Sequence, residues 1–136
     1  MSFVLDSSAA LALLLPGEES ARVEEIAAVL GRTLAPVPAI WPWEIRNGLL
    51  SALRSRRIAP REFDERIALL EEFPVEVDPG AGHDTLARAT GIARKHDLSV
   101  YDASYLELAI RLGVPLATLD RRLRKAGASL KVRLLP

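Results

Sequence analysis

The chain has 136 residues, 49% of them hydrophobic, and this length and composition predict one globular domain with its own core. Its 18 basic and 18 acidic residues balance, which argues against a protein that coats nucleic acid non-specifically but not against a local basic surface. The absence of cysteine excludes disulfides and thiolate chemistry. The apolar run Ala9–Leu15 follows no basic residue and is too short to cross a bilayer. We therefore expect a soluble, cytoplasmic protein with no membrane partner.

Short apolar runs alternate with helical patterns along the chain, which is typical of a parallel sheet whose strands are connected by helices. The first half predicts strand Ser2–Leu5, helix Ala9–Leu15 with Ser8 as N-cap, helix Glu18–Leu30, strand Thr33–Val37, helix Trp41–Leu53 and a helix that opens at Pro60. The second half predicts strand Val75–Val77, helix Asp84–His96, a helix from Asp102 to Gly113, strand Val114–Leu119, helix Arg121–Ala126 closed by Gly127, and an edge strand Leu130–Leu134. The expected fold is α/β, a single three-layer domain over residues 1–136 with a mostly parallel central sheet flanked by helices.

Four acids stand at strand ends or helix starts. Asp6 follows the first strand, Asp120 follows the fourth, Asp102 stands where a helix begins, and Glu44 lies in a helical first turn. Each alone is most simply a helix cap, because a carboxylate there accepts hydrogen bonds from free N–H groups at the positive end of the helix dipole. The C-terminal ends of parallel strands share one rim, however, so the four acids are also candidates for a single pocket.

A pocket of four carboxylates indicates a metal site. Converging carboxylates repel one another and burial disfavours their charge, so a divalent cation is needed to compensate them. Mg²⁺ and Mn²⁺ suit such a site because both prefer oxygen ligands, and Mg²⁺ keeps several waters. A metal held this way lowers the pKa of a bound water and neutralises charge on a phosphate. The pattern therefore points to phosphodiester hydrolysis, with four unrelated helix caps as the alternative.

Four stretches around these acids resemble the PIN-domain family, most closely its VapC-type toxins of bacterial and archaeal toxin–antitoxin pairs. They are Leu5–Ala9, Trp43–Leu49, Leu98–Ala109 and Leu116–Leu123, and they follow the family's order over nearly the whole chain. The tyrosine–aspartate–alanine stretch at Tyr101 and the threonine–x–aspartate ending at Thr118 are the most specific parts. The resemblance implies a PIN-like fold.

The resemblance also implies a Mg²⁺- or Mn²⁺-dependent endoribonuclease that cuts RNA with a metal-activated water, as the toxin of a type II toxin–antitoxin system. In this sequence the family's catalytic, metal-binding acids are matched by Asp6, Glu44, Asp102 and Asp120, and its supporting polar residues by Ser7 or Ser8, Asn47 and Thr118. An antitoxin partner and a homodimer follow from the same resemblance. Helix Ala9–Leu15 and helix Trp41–Leu53 are the candidate contact surfaces, since both are apolar beyond what a small domain can hide.

Other residues near the motifs are weaker candidates for RNA contacts. Tyr101 is expected to be half-buried packing, with base stacking as the alternative, and Trp41 and Trp43 are expected to be hydrophobic anchors. Glu107 is expected to be a solvated or neighbour-paired helix residue. Two charge runs are either solvated faces or phosphate contacts, namely Arg54, Arg56, Arg57 and Arg61, and Arg121, Arg122, Arg124 and Lys125.

Two other classes of protein compete with the nuclease. A receiver-type signalling domain would place a phosphorylatable aspartate such as Asp78 at the end of the third strand, but Asp6 lacks an adjacent second acid and no Lys follows the late strands. A catalytically silent PIN-like binding module would keep the fold for a partner only, and the intact acid set counts against it. Mg²⁺-dependent RNA cleavage separates the enzyme from both.

Overall fold

A computed structural model describes residues 2–17, 20–80 and 82–136. In this part of the chain helices and short strands alternate, as the sequence predicts. The helices are α1 Ser7–Leu14, α2 Ala21–Leu30, α3 Trp41–Arg54, α4 Pro60–Glu71, α5 His83–His96, α6 Val100–Leu112 and α7 Arg121–Ser129. The strands are β1 Val4–Leu5, β2 Ala35–Val37, β3 Val75–Val77 and β4 Leu116–Ala117. No helix of the described residues is long and apolar enough to span a membrane.

The strands form the central layer. β1 pairs in parallel with β4, with Val4 opposite Leu116, and β2 pairs in parallel with β3, with Ala35 opposite Val75. β1 also contacts β2, so the two pairs lie side by side, and within each pair the carboxyl ends point the same way. The predicted edge strand Leu130–Leu134 is reduced to one parallel bridge between Leu134 and Leu116. Lys131 has a φ of 59°, and the chain turns there instead of running extended.

Helices cover this layer in two groups. α1 packs against α2, α3 and α4, while α6 packs against α5, α7 and both strands of the β1–β4 pair. The buried core that results includes Phe3, Leu5, Ile26, Ile45, Leu49, Leu106 and Leu108. Gly48 allows α1 and α3 to approach closely, since a Cβ there would lie 2.5 Å from Leu11 Cδ1. The α/β fold class expected from the sequence is confirmed. Helix α6 contributes six buried residues to the core.

Several predicted element boundaries differ in the structure. α1 begins at Ser7 with Asp6 as its N-cap, so Ser8 is a helical residue and not the cap. The predicted start of the second helix at Glu18 lies outside the described residues, and α2 begins at Ala21, where Ser20 Oγ accepts a hydrogen bond from Val23 N–H. β4 is shorter than Val114–Leu119, and β2 is shorter than Thr33–Val37.

Gly127 does not end the last helix, which continues to Ser129. The glycine is buried, and a Cβ at this position would lie 3.2 Å from Leu134 Cδ2 and 3.6 Å from Leu106 Cδ2. Its role is therefore close packing against α6 and the C-terminal segment. Gly113, in contrast, does terminate α6, with the left-handed φ of 67° that favours glycine at a helix end.

Candidate active site

Asp6 is the most enclosed of the four acids. It follows β1 directly, and only 1% of its surface is exposed. Its Oδ2 accepts hydrogen bonds from Ser8 Oγ and from Thr118 Oγ1, each at 2.6 Å. The pKa of Asp6 is raised to about 6, first by burial and then by the nearby charges of Glu44 and Asp102, while the two hydrogen bonds lower it.

The two hydroxyls that hold Asp6 also tie the ends of β1 and β4 together. Ser8 Oγ accepts a hydrogen bond from Leu119 N–H at 3.1 Å, and Thr118 Oγ1 accepts one from Asp120 N–H at 3.0 Å. Thr118 is fully buried. The polar residues predicted at this position therefore orient Asp6 and the backbone that carries Asp120.

Glu44 is held by a tyrosine on the buried face of α6. Tyr105 on α6 is fully buried, and its hydroxyl donates a short hydrogen bond to Glu44 Oε1 in the first turn of α3. Burial raises the pKa of Glu44, the Tyr105 and Ser7 hydroxyls lower it, and the charge of Asp102 raises it. The spacing of three residues places Tyr105 on the same face of α6 as Asp102, but it carries no signal that the hydroxyl reaches Glu44.

Asp102 is not the cap of α6, contrary to the simplest sequence reading. Ser99 caps this helix, and its Oγ accepts a hydrogen bond from Asp102 N–H at 3.0 Å. The carboxylate of Asp102 is thus not used as the N-cap. Burial raises its pKa, the charge of Asp120 adds to the rise, and the Ser99 hydrogen bond and the charge of Arg122 oppose it.

Asp120 does cap a helix. Its Oδ1 accepts hydrogen bonds from Arg122 N–H at 2.8 Å and Leu123 N–H at 3.1 Å at the start of α7. The cap fixes the carboxylate and leaves it close enough to raise the pKa of Asp102. Asp120 can therefore cap α7 and belong to the group of acids at the same time.

The four acids form one electrostatically coupled group. Asp6 is coupled to Glu44 and Asp102, Glu44 to Asp102, and Asp102 to Asp120, and each coupling raises a carboxyl pKa. They come from β1, α3, α6 and the start of α7, so the fold assembles them from distant parts of the chain. Among residues 2–17, 20–80 and 82–136, no three acidic or histidine side chains are already arranged to hold a metal ion. The arrangement concentrates carboxyl groups at the rim of the sheet.

Some predicted site residues lie outside this group. Asn47 is exposed one turn after Glu44 on α3, and no hydrogen bond joins it to the described acids. Trp41 is buried against Phe73, as expected of an anchor. Trp43, with 74% of its surface exposed, is not an anchor, and Tyr101, with 62% exposed, is not half-buried packing. Both residues lie next to an acid in sequence, Trp43 before Glu44 and Tyr101 before Asp102.

Glu107 is paired but not solvated, with only 3% of its surface exposed. It accepts hydrogen bonds from Arg88 Nε at 3.2 Å and from the Arg111 guanidinium, which also binds Asp78 at 2.7 Å. This network joins α5, α6 and the end of β3. Arg111 holds the pKa of Asp78 below its usual range. The network also lines a mostly apolar cleft of about 380 Å³. The apolar part of the lining includes Trp43, Leu86, Val100 and Tyr101.

The two basic runs differ in their relation to the acids. Arg54 ends α3, and Glu44 lies in its first turn, so ten residues of helix separate them by about 15 Å. Arg57 Nη2 donates a hydrogen bond to the carbonyl oxygen of Pro16 at 2.9 Å. Arg121 and Arg122, in contrast, follow Asp120 directly. Arg124 is structural, because its guanidinium donates to Thr118 O and Pro136 O.

Replacing Tyr105 by Phe is expected to destabilise the protein by about 1–3 kcal/mol, because a buried hydrogen bond to a carboxylate is lost. Denaturant unfolding measures the change. Tyr101→Phe is the matched control, since it removes the same hydroxyl from an exposed ring four residues away. Equal stability of the two variants would show that the Tyr105–Glu44 bond contributes nothing.

A PIN-domain family model matches residues 3–129, and the chain belongs to the PIN domain family. It is 32% identical over 123 residues to Ribonuclease VapC3 of Pyrobaculum aerophilum. The aligned region covers 90% of this chain and 92% of that protein. This membership confirms the resemblance seen in the sequence and excludes the receiver-type alternative.

Two solved structures have the same fold. Mycobacterium tuberculosis VapC20, a Sarcin-Ricin loop cleaving toxin, is similar with a TM-score of 0.65 and 20% identity over 93% of this chain and 95% of that one. FitAcB from Neisseria gonorrhoeae has a TM-score of 0.67 at 19% identity, over 100% of this chain and 97% of that one. At these identities both support the fold alone.

Proposed function

We propose that this chain is an endoribonuclease that uses Mg²⁺ or Mn²⁺, and that it is the toxin of a type II toxin–antitoxin pair. The observation that carries the proposal is the coupled group of Asp6, Glu44, Asp102 and Asp120, three of which have a raised carboxyl pKa. Membership of the PIN domain family and 32% identity to a protein named as a ribonuclease support it.

The chemistry of the donor group fits a hard divalent cation. All the candidate ligands are oxygen atoms, and mutual repulsion of the carboxylates is relieved when a cation binds. A preformed cage of three side chains is not required, since Mg²⁺ usually keeps several waters and takes one or two carboxylates. Asp6, Glu44, Asp102 and Asp120 are the residues that would hold it.

When bound, the metal supplies an activated water and neutralises charge that builds on the scissile phosphate. The chain's own contribution is orientation. Ser8 and Thr118 fix Oδ2 of Asp6, and Tyr105 fixes Oε1 of Glu44. Asp120 is fixed by the α7 N-terminus. Asp102, whose carboxylate is free of the capping role, is the acid best placed to adjust to a substrate.

Cleavage of structured RNAs by the purified protein tests the proposal. We expect cleavage with Mg²⁺ or Mn²⁺ and none with EDTA, and Asp102→Asn protein purified in the same way controls for contaminating ribonuclease. Protein that binds RNA or a partner but cuts nothing in either metal would instead be the catalytically silent binding module.

We also propose a homodimer, on a surface that shares Trp43 of α3 with those expected from the sequence. α1 lies between α2, α3 and α4 with Ala9, Ala10 and Leu14 buried, so Ala9–Leu15 is not an exposed apolar surface. On α3 the large exposed apolar side chain is Trp43. A larger apolar surface than Trp43 alone lines the 380 Å³ cleft, and we propose it as the dimer contact. It consists of the exposed side chains of Trp43, Leu86, Val100 and Tyr101.

Replacing Leu86 by Lys is expected to convert the dimer to a monomer, because it places an unpaired charge in the apolar face. Leu69→Lys on α4 is the control, since Leu69 is 46% exposed and Leu86 is 52% exposed but only Leu86 lines the cleft. Light scattering at micromolar concentrations measures the mass. A monomeric parent protein, or two variants that stay dimeric, would contradict the assignment of this face.

The antitoxin is proposed as a protein encoded by the adjacent reading frame, and the cytoplasm is the proposed location. Co-expression with the product of that frame tests the partner. We expect a stable complex that no longer cleaves RNA, and a neighbour that neither binds nor inhibits would remove the toxin part of the proposal while leaving the nuclease part.

A further inference from the structure

A second cleft, between the end of α5 and α7, is basic. It has a volume of about 390 Å³ and is lined by residues that include Lys95, His96, Asp97, Arg122, Lys125 and Ser129. Three permanent cations therefore face one acid. The sequence reading grouped Arg122 and Lys125 with their neighbours in α7, but Lys95 comes from a different helix, and the fold brings it to the same place.

The cationic groups of this cleft are available to a ligand. Lys95, Arg122 and Lys125 are exposed, and in the described part of the chain none of them forms an ion pair with a carboxylate. Arg88, Arg111 and Arg124 are different, because their guanidinium groups are bonded within the protein. The whole chain has equal numbers of basic and acidic residues, but this cleft has three permanent cations and one acid.

The basic cleft adjoins the acids. Arg122 is two residues after Asp120 and close enough to Asp102 to lower its pKa. The Arg54–Arg57 run begins about 15 Å along α3 from Glu44. A ligand whose reacting phosphate is at the acids is therefore near Arg122 of the α5–α7 cleft.

We propose that Lys95, Arg122 and Lys125 bind the phosphate backbone of the RNA next to the bond that is cut. The inference rests on the proposed nuclease function and deepens it, because it assigns the substrate contacts to one of the two basic runs. The ligand is a polyanionic backbone rather than a base, since three of the lining side chains are ammonium or guanidinium groups and the aromatic ring among them is the half-buried imidazole of His96. Such contacts hold RNA in register without reading its sequence.

The test compares two triple variants in Asp102→Asn protein, which binds RNA without cutting it. One carries Lys95→Gln, Arg122→Gln and Lys125→Gln. The matched control carries Arg54→Gln, Arg56→Gln and Arg61→Gln, with the same loss of three charges. Affinity for a fluorescent single-stranded RNA is measured by anisotropy at several salt concentrations.

We expect the cleft variant to bind at least about tenfold more weakly and to lose about 2 from the slope of log affinity against log salt, because each phosphate contact on a single strand contributes about 0.7. The control variant keeps the parent slope. An unchanged slope in the cleft variant, or an equal loss in the control, would overturn the assignment. So would binding of an acidic peptide as tight as that of RNA, which would make the cleft a protein-binding surface.

Cleavage with Asp102 restored separates this inference from the nuclease proposal. We expect the cleft triple variant to lose kcat/KM mainly through a higher KM, so that saturating RNA restores much of the parent rate. Undiminished kcat/KM would overturn the phosphate contacts and leave the nuclease standing. Absence of metal-dependent cleavage by the parent protein would overturn the nuclease itself, and the cleft with it.

Discussion

Asp102→Asn and Asp6→Asn are each expected to abolish metal-dependent RNA cleavage, with a loss of at least about 100-fold. Replacing a residue that only supports a metal ligand typically costs 10–100-fold, and these two acids are proposed ligands themselves. The substitution removes a charge at nearly constant shape. Initial rates in Mg²⁺ and in Mn²⁺ measure the effect.

Asp64→Asn is the matched control for this pair. Asp64 is an exposed acid on α4, outside the coupled group, and its loss removes the same formal charge. Its rate is expected to stay within about twofold of the parent, because salt screens a distant surface charge. If Asp102→Asn and Asp64→Asn cleave equally well, the coupled acids do not form the catalytic site.

The metal-free protein is expected to lose stability as the pH rises from about 4 to about 7, through the contribution of Asp6. Its pKa in the folded protein is about 6, above the ordinary value of 3.8, so the folded state binds more protons across this range. Stability then falls as the proton is released, and a shift of this size corresponds to about 3 kcal/mol. The penalty is complete above pH 6 and absent below pH 4.

Urea unfolding of the parent and of Asp6→Asn at pH 4.5 and pH 7.5, in EDTA, isolates this contribution. Other acids titrate in both proteins, so the difference between the two pH dependences belongs to Asp6. Asp6→Asn is expected to gain stability on the parent at pH 7.5 and little at pH 4.5. A constant difference at both pH values would show that Asp6 does not titrate with a raised pKa in the folded state.

The order of the elements was predictable because particular residues mark where helices and strands begin and end. Pro60 opens α4, Gly113 ends α6 with a positive φ, and buried apolar runs precede Asp6 and Asp120. The ends of elements were less predictable. Gly127 looks like a helix terminator in sequence, yet tertiary packing against Leu134 outweighs its local preference.

The convergence of the acids follows from parallel topology, but the residues that orient them do not. Tyr105 has the periodicity of a core residue and is buried as one, and only the fold shows that its hydroxyl reaches Glu44, 61 residues away. Ser99 takes the capping role that sequence assigns to Asp102. Side-chain hydrogen bonds between distant elements leave no periodic signal in a single sequence.

Surface assignments were the least predictable, because an apolar or charged residue has the same appearance in sequence whichever way it faces. Trp43 is exposed while Trp41, two residues earlier, is buried. Arg124 is bonded internally while Arg122 is not. Lys95 joins Arg122 only because α5 ends beside α7. Residues that are close in sequence point in different directions on a helix, so the sequence alone does not show which of them faces solvent.

Calorimetric titration of Mn²⁺ into the parent protein, Asp102→Asn and Asp64→Asn tests directly whether the four acids act as one metal-binding unit. We expect saturable binding to the parent and to Asp64→Asn, and binding weakened at least about tenfold in Asp102→Asn, since one carboxylate ligand is lost. Equal Mn²⁺ affinity in all three proteins would contradict a metal site at these acids.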